Sequence, residues 1–133
     1  GANVIASDIN EIAIEYLKVA SEKNKLEIEC IQSDLFDTIS QKSFDYIIIN
    51  PPYYPKKPKK TKEQAWYFEA LFPQLKTYLS EENNTYMILS EDCDFQNISK
   101  IAAKNNIHLN AIFTTKKVGE KNTIYSTKNQ KEY

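Results

Sequence analysis

Short apolar runs alternate with amphipathic stretches along this chain. The run from Asn3 to Ser7 reads as a strand that ends at Asp8, and Asn10-Glu11 then has the chemistry of a helix cap and first turn. Ala13, Tyr16, Leu17 and Ala20 follow at spacings of three and four, which predicts a helix laying that face on a sheet. A second strand is expected around Leu26 to Gln32, with Ile28, Cys30 and Leu26 on one face. The continuous apolar run from Phe44 to Ile49 predicts a central parallel strand buried on both sides.

Beyond residue 62, Phe68, Leu71, Phe72, Leu75 and Leu79 form a helical stripe within residues 63–80, which Trp66 extends. Pro73 lies inside it and predicts a kink or a break near Phe72. A strand is expected at Thr85 to Leu89, after an Asn83-Asn84 turn, and a helix at Phe95 to Lys104. Strands at Ile107 to Phe113 and Asn122 to Ser126, joined by a turn at Gly119, are expected to pair antiparallel at a sheet edge. The alternation predicts an α/β fold, a Rossmann-like doubly wound sheet that is mostly parallel with an antiparallel C-terminal edge.

At 133 residues, 41% hydrophobic and 12% aromatic, the chain suits one globular core. No stretch approaches the roughly 20 apolar residues of a membrane span, and no secretory leader is visible, so a cytoplasmic protein is expected. Cys30 and Cys93 have no partner at metal-ligand spacing, which predicts reduced thiols and no metal site. His108, the single histidine, sits in an alternating run and reads as structural.

Charge is unevenly distributed. Residues 1–54 hold 4 Lys and 9 acidic groups, a net of 4 − 9 = −5; residues 55–133 hold 13 Lys and 9 acidic groups, a net of 13 − 9 = +4. Lys56, Lys57, Lys59, Lys60 and Lys62 crowd one short segment, which can attract a polyanion or simply form a solvated loop. Arginine is absent, so the rigid bidentate fork suited to base edges is missing, and any base specificity has to come from a pocket.

The tetrapeptide Asn50-Pro51-Pro52-Tyr53 directly follows the strand Tyr46-Ile47-Ile48-Ile49. An Asn amide oxygen can accept from an N–H donor, two prolines restrict the backbone around it, and an aromatic ring can stack on a planar group. A Pro-rich turn between strand and helix is the plainer account. The motif resembles the NPPY signature of class I S-adenosylmethionine-dependent methyltransferases that modify amide or exocyclic amino nitrogens. Those include enzymes acting on RNA or DNA bases and on the glutamine of peptide release factors.

The resemblance implies catalytic roles for Asn50, Pro51 and Tyr53, with S-adenosylmethionine as cofactor. It implies that Asp8, at a strand end, holds the cofactor ribose and that Asp34 holds the adenine amino group, flanked by Ile9 and Leu35, with Asn50 also near the cofactor. Asp8 and Asp34 can equally serve as local caps. Pro52, Tyr54, Lys56, Lys57, Lys59, Lys60 and Lys62 are the expected acceptor contacts. The expected acceptor is a nucleic-acid base, RNA first, with a release-factor glutamine as the alternative; a noncatalytic interaction module is the reading outside enzymology. Only Gly1 and Gly119 occur, so the family's Gly-rich loop has no counterpart. Residues 1–133 are therefore expected to be a partial class I methyltransferase domain, from the second strand onward.

Overall fold

A computed structural model describes residues 1–52 and 65–130. The chain divides into two compact units, Gly1–Lys42 and Ser43–Tyr133.

In the first unit, β1 (Val4–Asp8) and β2 (Ile28–Gln32) pair in parallel, with Asp8 opposite Gln32 at their carboxyl ends. The helix α1 (Glu11–Lys23) connects them. Asn10 caps α1 as expected, its side chain accepting the Ile12 N–H at 2.9 Å. The inward face differs from the expected one. Ile14 and Ser21 are buried and Leu17 half-buried, whereas Tyr16 is 73% exposed and Ala20 is exposed. Ile14, Leu17 and Ser21 form a stripe at i, i+3 and i+7, and Ser21 can be buried because its hydroxyl donates to the Leu17 carbonyl at 2.6 Å. Leu26 also departs from expectation. It precedes β2 and is exposed, its N–H donating to the Ser21 carbonyl in the turn that ends the helix.

The second unit is a four-stranded sheet in the order β3-β4-β6-β5, from β3 (Tyr46–Ile49), β4 (Asn84–Ser90), β5 (Ile107–Lys117) and β6 (Glu120–Asn129). β3 and β4 are parallel; β6 is antiparallel to both β4 and β5. The late strands therefore form the expected antiparallel edge, with the turn at Gly119, but run several residues longer than their apolar cores. Helices α2 (Trp66–Lys76) and α3 (Phe95–Lys104) complete the unit. Its core joins Phe68, Leu71, Phe72 and Leu75 of α2 to Ile98, Ile101 and Ala102 of α3, over Ile47, Ile49, Met87, Leu89, Ile107 and Leu109 of the strands. The strand members alternate along each chain, as one buried sheet face requires.

Two expectations are corrected here. β3 is an edge strand among the described residues, and its face carrying Tyr46 and Ile48 is exposed, Ile48 to 81%. An unbroken apolar run hides the alternation that burial reveals. Of the kink and the break expected at Pro73, the break does not occur: α2 continues to Lys76, the fully buried Phe72 and Leu75 packing it on both sides of the proline. Trp66 begins the helix and is exposed.

The turn from α2 to β4 is organised by buried Asn83. Its Nδ2 donates to the Tyr78 carbonyl at 2.5 Å, its Oδ1 accepts the Ser80 N–H at 3.2 Å, and its own carbonyl accepts from Lys128 Nζ of β6.

Candidate functional site

The two loops leaving β1 and β2 are held side by side. Ser33 donates its N–H to the Asp8 carbonyl at 3.0 Å, and Gln32 Nε2 donates to the Ile9 carbonyl at 3.2 Å. Asp8 is exposed, with Oδ1 accepting the Asn10 N–H at 2.8 Å. A carboxylate has roughly four acceptor positions, so this local bond leaves capacity for a diol. The two readings of Asp8, cap and ligand holder, are thus chemically compatible. Ile9 presents an apolar side chain that is 58% exposed next to it.

Asp34 sits in a pair of tight turns spanning Ser33 to Ile39. Buried Ser33 accepts the Thr38 N–H on its hydroxyl at 3.1 Å, Thr38 Oγ1 donates to the Gln32 carbonyl at 2.8 Å, and Asp37 donates its N–H to the Asp34 carbonyl at 3.1 Å. Leu35 takes φ of +53° there, a left-handed conformation unusual for a non-glycine residue. This scaffold leaves the Asp34 carboxylate exposed and Leu35 half-buried. Two exposed carboxylates, each followed in sequence by an apolar residue, offer acceptors for hydroxyl or amino donors and apolar surface next to them.

In the second unit, Asn50 immediately follows β3, at the carboxyl end of the parallel pair. Its amide is exposed and makes no hydrogen bond among the described residues, so its oxygen is available to an external donor. Pro51 is half-buried and Pro52 exposed. Tyr53, Tyr54, Lys56, Lys57, Lys59, Lys60 and Lys62 lie outside the described residues. No cluster of metal-ligating side chains occurs among the described residues, and none of their helices is long and apolar enough to cross a membrane. Cys30 and Cys93 are free thiols, and His108 is exposed on β5.

Asp8, Asp34 and Asn50 stand out in the sequence, whereas Gln32 and Ser33, which tie the Asp8 and Asp34 loops together, do not. The signal was a polar pair closing an apolar strand, which also occurs at ordinary strand ends.

Comparison with known proteins places these features in context. The chain is 45% identical over 51 residues to the release factor glutamine methyltransferase of Lactococcus lactis, covering 38% of this chain and 18% of that protein. It is 33% identical over 70 residues to the ribosomal protein uL3 glutamine methyltransferase of Francisella tularensis, covering 51% of this chain and 22% of that protein. The chain spans between 10% and 26% of the length of the curated relatives it matches. A methyltransferase from Pyrococcus furiosus superposes with a TM-score of 0.73 at 18% identity, covering 96% of this chain and 63% of that one, which establishes the Rossmann-like α/β fold. Fold and family together support S-adenosylmethionine as the cofactor. The model of the methyltransferase small domain matches residues 1–127, and the chain belongs to that family.

Proposed function

We propose that this protein is an S-adenosylmethionine-dependent N-methyltransferase whose acceptor is the side-chain amide of a protein glutamine. The observation that carries this reading is the exposed amide of Asn50, which makes no hydrogen bond among the described residues and stands just past the end of β3, followed in sequence by Pro51-Pro52-Tyr53. The relatives named for glutamine methylation support a protein amide over the nucleic-acid base that the lysine-rich segment suggests.

In this account the first unit holds the adenosine portion of the cofactor. Asp8 accepts from the ribose hydroxyls, Asp34 accepts from the adenine amino group, and Ile9 and Leu35 cover the ring. When bound, S-adenosylmethionine would supply an electrophilic methyl group. Asn50 accepts one N–H of the acceptor amide through Oδ1, which fixes the orientation of the acceptor nitrogen. Pro51 stiffens the backbone that carries Asn50, and Tyr53 covers the planar face of the acceptor amide. The gain is one of positioning, which contributes most when the bound geometry is close to that of reaction. Pro52, Tyr54 and the lysines at 56, 57, 59, 60 and 62 contact the acceptor outside this clamp.

Incubation of the full-length protein with methyl-labelled S-adenosylmethionine and purified release factor, ribosomal protein uL3 or ribosomal RNA tests the reading. Methylated glutamine, located by mass spectrometry of a protein acceptor, is the expected product. Label confined to a base amino group of the RNA would replace the amide acceptor with a nucleic-acid one.

A further inference from the structure

The hairpin of β5 and β6 overhangs the end of the sheet at which Asn50 stands. Ile49 is level with Met87, so the next residues, Asn50 and Ile88, share a level, and Ile88 faces Ile124. β6 begins four residues before Ile124, at Glu120. At about 3.3 Å per residue the hairpin extends on the order of 13 Å past Asn50, whereas β4 ends at Ser90 and its chain makes a last contact one residue on, Glu91 donating its N–H to the Lys121 carbonyl at 2.8 Å.

Two local choices at this tip work against hairpin stability. Lys117 pairs with Glu120 around the two-residue loop Val118-Gly119, and both loop residues have positive φ, +23° and +80°. A loop of that conformation favours Asn-Gly, and a β-branched residue at its first position is strained. Val118 is nevertheless there, and it is fully exposed. One pair further in, Lys116 lies directly opposite Lys121, and like charges facing each other across strands destabilise the pair. Local rules broken together at one exposed place point to a function served there.

We propose that this tip is a docking element for the protein acceptor, contacting an acidic surface with an apolar spot next to the methylated glutamine. This inference rests on the glutamine reading given above. Lys116, Lys117 and Lys121 supply ammonium groups against carboxylates, and burial of Val118 on the acceptor offsets the strain of its position. The apex is aliphatic and rimmed by three lysines and Glu120, a net positive charge, without the aromatic or Arg planes on which nucleic-acid bases stack, which favours a protein partner over RNA. The exposed Ile112 and Phe113 lie further down the same hairpin, at its bulge.

The test is the double variant Val118→Asn/Lys121→Glu of the full-length protein, which relieves the strain and converts the like-charge pair into an opposite one. Its Tm is expected to rise by roughly 4 °C. KM for whichever of release factor or ribosomal protein uL3 the wild type methylates is expected to rise about tenfold, with kcat and S-adenosylmethionine affinity within about twofold of wild type. A raised Tm with unchanged acceptor KM overturns the docking role and leaves the glutamine reading standing. A raised KM for an RNA acceptor alone overturns the protein partner. Absence of label in every acceptor overturns the glutamine reading and this inference with it.

Discussion

Ser33 donates its backbone N–H to the carbonyl of Asp8 at 3.0 Å, one residue beyond the last ladder pair of β1 and β2. That bond keeps the two strand ends level and brings the Asp8 and Asp34 loops out on the same edge. Asp8→Ala in the full-length protein is expected to weaken S-adenosylmethionine binding by about 1.5–3 kcal/mol, the usual worth of a hydrogen bond to a charged group, and Asp8→Asn by less. Isothermal titration calorimetry measures this directly. Unchanged affinity in both variants would reduce Asp8 to a cap for the turn before α1.

Asn83 is a buried side chain whose replacement orphans other groups. Asn83→Ala removes the partners of the Tyr78 carbonyl and the Ser80 N–H while leaving a small void. An expected loss of about 1–3 kcal/mol follows from stranding such groups, read from urea unfolding midpoints. A loss well below that range would show that water reaches the turn.

Thr85 and Thr127 stand opposite each other on β4 and β6 when the register of that pair is continued past Tyr86 and Ser126. Both hydroxyls are fully buried and have no hydrogen-bond partner among the described residues. Thr85→Val preserves the shape and removes one desolvated hydroxyl, so it is expected to be neutral or to stabilise by about 1 kcal/mol. Destabilisation in chemical denaturation would reveal a partner, such as a bound water, for that hydroxyl.

Tyr125 stacks on Phe95 at 4.6 Å between ring centroids, and burial raises its phenol above the usual 10.0, against a lowering hydrogen bond from Thr123 and with a smaller raising contribution from Cys93. The folded state therefore favours the neutral phenol. Its contribution to stability is fully present below pH 10 and is lost as pH rises through the higher folded value. The difference in unfolding midpoint between wild type and Tyr125→Phe is expected to be constant from pH 7 to 9 and to shrink in favour of the variant above pH 10. A difference independent of pH would contradict the burial effect.

Much of the fold was readable because α2, α3, β4 and the antiparallel edge carry one clear period each. α3 is found where Phe95 to Lys104 predicted it, and Phe68, Leu71, Phe72, Leu75 and Leu79 are all buried. The misreadings share a cause. α1 has apolar residues on two faces, Ile14 and Leu17 on one and Ile12, Tyr16 and Val19 on another, so periodicity alone could not choose between them. The same ambiguity affects β3, where four apolar residues in a row conceal which two face the core. Of the candidate site, Asp8, Asp34 and Asn50 were visible as polar residues at or just past strand ends. The hairpin was read from its apolar cores but its overhang was not, because the outer pairs are polar and give no apolar signal; only the register past Asn122 reveals them.

The central claim is that Asn50 clamps the acceptor nitrogen, and Asn50→Ala tests it most directly. Methyl transfer to a verified acceptor and S-adenosylmethionine affinity are to be measured on the same full-length preparation, with folding checked by circular dichroism. The account predicts that kcat falls on the order of one hundredfold, roughly 3 kcal/mol of lost transition-state stabilisation, while cofactor affinity changes by less than about threefold. A folded variant with wild-type kcat would contradict it.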